Sequence, residues 1–120
     1  MPTGRPFLNL YSHDLVRVAV AVPEIRVADP AFNAERTIDL MRQAAAERAV
    51  VALFPELGLS AYSCDDLFHQ RALLDGVLQG LQQVVDASRD LQMVVAVGLP
   101  LQVDHLLFNC AAIVSRGRMV

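Results

Sequence analysis

Lysine and tryptophan are both missing from this chain of 120 residues, cysteine occurs only twice, and aromatic residues make up 6%. Each shortage excludes something. The basic residues are all arginines, scattered singly along a chain of net charge -3, so none of the clustered basic patches on which nucleic-acid binding rests is present. Cys64 and Cys110 form neither a CxxC pair nor a metal-ligand cluster and read as free thiols of a reducing compartment. His13, His69 and His105 share no spacing with carboxylates or cysteines; each is assigned to the surface or a turn, and no metal site is expected. Long apolar runs are also absent. Val18 to Val22 is stopped by Pro23, far short of the ~20 residues that span a bilayer. The opening MPTGRPFLNLYSHD lacks the charged start and apolar stretch of a signal peptide. The expectation is a cytoplasmic protein with no membrane and no nucleic-acid partner.

What the chain does contain is apolar residues, at 54%, enough for one domain with a respectable core. Residues 1–14 read as an amino-terminal arm and 15–120 as the domain. Leu15 to Val22 is the first strand. Asp29 as N-cap with Pro30 at the first helical position starts a helix that runs to about Arg48. Within it Ala34, Ile38, Met41 and Ala45 line one face, which packs on a sheet. Val50 to Phe54, charge-free and rich in valine, suits a strand buried on both faces of a parallel sheet.

Ser63 with Asp66 three residues on has capping-box character, with Asp65 and Asp66 as helix-capping acids. A second helix is expected from about Asp66 to Ala87. Gly76 and Gly80 share one of its faces and imply close packing there. Met93 to Leu99 is a third buried strand, ended by Pro100. A turn at Asp104-His105 leads into a strand over Leu106 to Ser115, and Arg116-Gly117 turns the chain into the beginning of a fifth. The order βαβαββ is an α/β domain with parallel first strands and right-handed crossovers. Periodicity alone equally suits a three-layer doubly wound fold.

The pattern breaks at Pro55, which cannot donate to a sheet ladder and so ends the second strand. Glu56 follows, a carboxylate just past the carboxyl end of a core strand, where ligands bind in α/β proteins. By position alone a solvated loop acid is an equal reading.

The words around Glu56 resolve that balance. FPELGLSAYSCDD resembles the first catalytic motif of the nitrilase, or carbon-nitrogen hydrolase, superfamily. NLYSHDLVRVAVAV, DPAFNAERTIDLMRQAA, VVALFPELGLSAYSCDDLFHQRALLDGV and LFNCAAIVSRGRMV, in that order, are similar to the amino-terminal glutaminase domain of glutamine-dependent NAD+ synthetases, particularly actinobacterial ones. The resemblance implies that this chain is the first part of a four-layer αββα sandwich. It also implies a Glu-Lys-Cys triad in which Glu56 is the general base, and a glutamine pocket lined by Tyr62. A loop tyrosine packed over the sheet edge is the rival reading for Tyr62. Neither cysteine falls where the family's nucleophile belongs. Cys64, at a helix start, is the weaker candidate for that role, and Cys110 reads as a small core residue. Without lysine or a nucleophile the chain alone is expected to be inactive.

The implied partners are glutamine, a carboxy-terminal synthetase domain and further copies of the protein. No cofactor is expected in this chain, since ATP and Mg belong to the synthetase domain. A stand-alone nitrilase-superfamily amidase and a non-catalytic α/β module are the alternatives.

Overall fold

Two parallel crossovers and two tight hairpins build the molecule. The computed structural model describes Leu8 to Val120, so part of the expected arm lies outside the described residues. The elements are β1 (Val18–Val20), α1 (Pro30–Ala46), β2 (Val51–Leu53), α2 (Arg71–Ala87), β3 (Val94–Val103), β4 (Leu106–Ser115) and β5 (Arg118–Met119). The strands lie side by side in chain order. The first three are parallel and the last two antiparallel. The expected α/β order is therefore found, with β1 and β2 shorter than the apolar runs that contain them.

Local chemistry explains the helix that fits expectation. The Asp29 side chain accepts a hydrogen bond from Phe32 N at 3.2 Å, and Pro30 fills the first turn, where its missing N–H is harmless. Ala34, Ile38, Met41 and Ala44 then face the core. Asn33 and Thr37 are buried with them, because Asn33 satisfies its amide on the backbone of Arg26 and Leu59.

The second helix differs from expectation. Ser63 caps nothing. Asp65–His69 form a separate 3-10 turn, Gln70 is extended at ψ 129°, and α2 begins only at Arg71. The extended backbone of Gln70 separates the two segments, and Asp65, at φ 48°, holds a left-handed conformation at the start of the first. Gly76 and Gly80 do mark a close approach. A Cβ on Gly80 would sit 3.3 Å from Pro30 O and 3.4 Å from Ala34 Cβ, and one on Gly76 3.3 Å from Pro30 Cγ.

Pro100 does not end β3. Val94 N, Ala96 O and Gly98 O bond to Val50 O, Phe54 N and Leu59 N respectively, so alternate residues of β3 direct their backbone groups toward β2. Pro100 is the next in that series, beyond the last β2 pairing at Ala96. No donor is needed there, and the strand continues against β4, with Pro100 opposite Asn109. The β3–β4 turn at Asp104 (φ 50°) and His105 (φ 67°) has the two positive φ values of a type I′ hairpin, and Arg116 (φ 52°) with Gly117 (φ 85°) repeats it.

Burial of β2 on both faces is not found. Ala52 is fully buried, whereas Val51 and Leu53 are 38% and 51% exposed. Both helices cover one face of the sheet, where Ala52, Val95, Val97, Leu99 and Val114 meet Met41, Val77 and Val84. The other face presents Val18, Val20, Val51, Leu53, Val94 and Ile113. The described residues thus form one helix layer on one sheet layer, half of the four layers that the resemblance implies.

Candidate active site

The turn after β2 is forced across β3. Phe54 N still donates to Ala96 O at 3.0 Å, but Pro55 has no N–H to continue the ladder. The chain folds over itself, with Gly58 N on Pro55 O at 3.2 Å and Leu59 N on Gly98 O at 3.1 Å. Gly98 makes the crossing possible. A Cβ there would lie 2.4 Å from Leu57 N, 2.5 Å from Pro55 O and 2.9 Å from the Glu56 carbonyl carbon. The far side of the loop is also anchored. Asn33 Nδ2 donates to Leu59 O at 3.1 Å, and Ala28 N donates to Ser60 O at 3.0 Å. Leu57 and Ala61 sit at φ 53° and 76°, strained values that the surrounding contacts hold in place.

This scaffold leaves the Glu56 side chain exposed at the carboxyl end of the parallel strands. Asn109 of β4 reaches it, donating from Nδ2 to Glu56 Oε1. The two residues share a cleft of about 230 Å³ with Leu53, Phe54, Gly98 and Cys110 among its walls. A carboxylate with one oxygen engaged and the other open to a cleft can take up and return a proton. A larger hollow of about 340 Å³, walled by Asn9, Tyr11, Arg48 and Gln92, lies at the amino ends of the strands. Sheet polarity and the carboxylate both favour the smaller cleft.

Of the other sequence-derived candidates, Cys110 alone is among the residues that line this cleft. Tyr62 is 67% exposed and is not among the residues that line it. Cys64 is 2% exposed, and its thiol donates to Ser60 O at 3.0 Å and Ala61 O at 3.5 Å, so it is a packed structural group rather than an accessible nucleophile. Asp65 and Asp66 lie in the first turn of the 3-10 segment. Cys110 is half-buried, touching the core and walling the cleft, and both cysteines are free thiols. His13, His69 and His105 are exposed, at the ends of two 3-10 turns and in the β3–β4 turn. Among the described residues no three His, Cys, Asp or Glu side chains gather as metal ligands, and no helix is long and apolar enough to cross a membrane.

Two residues of the site are absent from the sequence reading. Gly98 interrupts an apolar strand pattern, which is a signal of close backbone approach. Asn109 is a polar residue inside an otherwise apolar strand, and that irregularity is its only mark.

Comparison with known proteins bears on the family and the fold. The chain is 40% identical over 114 residues to the glutamine-dependent NAD(+) synthetase of Mycobacterium tuberculosis, covering 95% of this chain and 17% of that protein. For the same enzyme of Xylella fastidiosa the identity is 32% over 107 residues, covering 88% and 19%. The chain thus spans under a fifth of the length of these curated relatives. In fold it is similar to a glutamine-dependent NAD(+) synthetase from Cytophaga hutchinsonii (TM-score 0.80, 21% identity, 87% of this chain and 18% of that one). It is also similar to an amidase from Nesterenkonia sp. (TM-score 0.72, 21% identity, 88% and 40%). The carbon-nitrogen hydrolase family model matches residues 17–120, a span that takes in both crossovers, the Glu56 loop and the β3–β4 hairpin. A match over nearly the whole chain, on the architecture that holds the carboxylate, means that the chain belongs to the carbon-nitrogen hydrolase family.

Proposed function

We propose that Glu56 is the general base of a glutaminase site, and that the chain forms the amino-terminal part of the glutaminase domain of a glutamine-dependent NAD+ synthetase. The supporting observation is the Glu56 carboxylate itself, accessible at the carboxyl end of a parallel strand, with its backbone seated over Gly98 and one oxygen held by Asn109. In this reading Glu56 takes the proton of a cysteine thiol, and the thiolate attacks the side-chain amide carbon of glutamine. A lysine and backbone donors stabilise the oxyanion. Glu56 then protonates the departing ammonia and afterwards deprotonates the water that opens the thioester. Its last proton returns to the cysteine.

In this reading the lysine and the nucleophile come from outside these residues: the chain has no lysine, Cys64 is sealed in, and Cys110, although it walls the cleft, does not fall where the resembled family carries its nucleophile. The 120-residue chain alone is therefore assigned no turnover. Tyr62, exposed on the same loop six positions after Glu56, supplies a hydroxyl to the polar end of glutamine. Ammonia would pass to a carboxy-terminal synthetase domain outside these residues, which would hold ATP and Mg2+ for activating the carboxylate of nicotinic acid adenine dinucleotide. The complete protein is placed in the cytoplasm as a homo-oligomer.

The test separates the two half-reactions of the complete gene product. Glu56→Gln is expected to reduce glutamine-driven NAD+ formation roughly a thousandfold, the scale of a lost acid-base group, and to leave ammonia-driven formation within about twofold of wild type. Undiminished glutamine-driven synthesis in that variant would remove Glu56 from the base role. A gene product that hydrolyses other small amides and makes no NAD+ would be a stand-alone amidase instead.

A further inference from the structure

We infer that Asn109 is a positioning residue for Glu56, its amide holding one carboxylate oxygen so that the other faces the cleft for proton transfer. The inference rests on the proposed role of Glu56 as base. Asn109 Nδ2 donates to Glu56 Oε1, and because a carboxylate can only accept, the orientation of the amide follows from the contact itself. Among the described residues Oε2 accepts no hydrogen bond, and none of the ion pairs involves Glu56.

The support behind Asn109 is rigid. It lies in the middle of β4, which pairs with β3 without interruption from Val95–Val114 to Val103–Leu106. Its cross-strand partner Pro100 is two residues beyond Gly98, where the Glu56 loop crosses the sheet. One hairpin therefore fixes both the backbone and the side chain of Glu56. An exposed glutamate would otherwise sample several rotamers, and one bond to a residue on a paired strand restricts them.

The chemical type of the partner matters as well. An arginine in this place would hold the ionised form strongly and make the carboxylate a poorer proton acceptor. A neutral amide orients the group with much less of that effect. This suits a residue that must gain and lose a proton in each turnover.

The experiment uses the complete gene product with Asn109→Leu, Asn109→Gln and Glu56→Gln, and ammonia-driven NAD+ formation serves as the control for folding. Asn109→Leu keeps the volume and removes the donor. Its kcat with glutamine is expected to fall about 10- to 100-fold while KM changes by less than about twofold, because a misplaced base impairs the chemical step more than binding. Asn109→Gln retains an amide and is expected to recover kcat to within about threefold of wild type. In protein labelled with 15N-asparagine, the Asn109 side-chain NH2 resonances are expected to move in Glu56→Gln.

Wild-type kcat in Asn109→Leu beside an inactive Glu56→Gln would overturn the inference and leave the proposed function standing. Equal loss of the glutamine-driven and ammonia-driven reactions in Asn109→Leu would overturn it too, by showing a structural role. Activity retained in Glu56→Gln would instead defeat the base assignment on which the inference rests. Unmoved Asn109 resonances in Glu56→Gln would deny the contact itself.

Discussion

At position 98 a hydrogen atom in place of a methyl group decides whether the Glu56 loop can cross the sheet. Its importance is one of space, since the nearest loop atoms would lie 2.4 and 2.5 Å from a Cβ and both belong to backbone, which cannot swing aside. Gly98→Ala is accordingly expected to destabilise the fold by about 2–3 kcal/mol, the scale of an overpacked interior, read as a lower midpoint of urea unfolding. An unchanged midpoint would mean that the loop can lift off β3 freely. At this scale the site was half legible. A Pro-Glu pair ending an apolar run places Glu56 at the carboxyl end of a strand, and the resemblance of the surrounding motif is what singles it out. Its hydrogen-bond partner is 53 positions away, and no local rule joins the two. Cys64 shows why a position near a helix start does not by itself activate a thiol. It is only the weaker candidate for the nucleophile, and its S–H is spent on two loop carbonyls with its surface buried.

Among the elements, those whose ends are set by side-chain chemistry are the ones that the sequence located. The Asp29 cap and Pro30 start α1 where expected. Asp29→Ala is expected to lower stability by about 1 kcal/mol, with a correspondingly lower thermal midpoint, because Phe32 N loses its acceptor. A shift indistinguishable from zero would mean that solvent replaces the cap without loss. The I′ turns at Asp104-His105 and Arg116-Gly117 were legible for the same reason, being chosen by residues that tolerate positive φ or by hairpin geometry. Pro100 and α2 were not. Whether a proline breaks a strand depends on whether a neighbour needs its N–H, and the register with β2 settles that question. The Asp66 to Ala87 stretch reads as one helix by periodicity, but an extended Gln70 splits off its first turn.

For the molecule as a whole, the distribution of apolar surface is the dominant fact. One sheet face is sealed by α1 and α2, while Val18, Val20, Val51, Leu53, Val94 and Ile113 remain open on the other. A contiguous apolar patch of this kind drives association in water. The 120-residue chain expressed alone is expected to self-associate as its concentration rises. The double substitution Val20→Lys and Leu53→Lys is expected to restore a monomer in sedimentation velocity without lowering the thermal midpoint, since both side chains are already exposed. A wild-type chain that sediments as a monomer at all concentrations would show that the face needs no cover.

Composition, periodicity and turn chemistry by themselves determined the α/β class, the order of elements, the cap of α1 and both hairpin turns, while the choice of Glu56 over an ordinary loop acid came from the family resemblance of the words around it. The elements, the cap and the turns are decided by interactions within a few positions along the chain. Tertiary structure alone decided that β2 is covered on one face only, that Pro100 stays inside β3, that Gly98 admits the crossing loop and that Asn109 holds the carboxylate. Each of those depends on which distant segment lies alongside, and that is set by strand register and the packing of helices on the sheet.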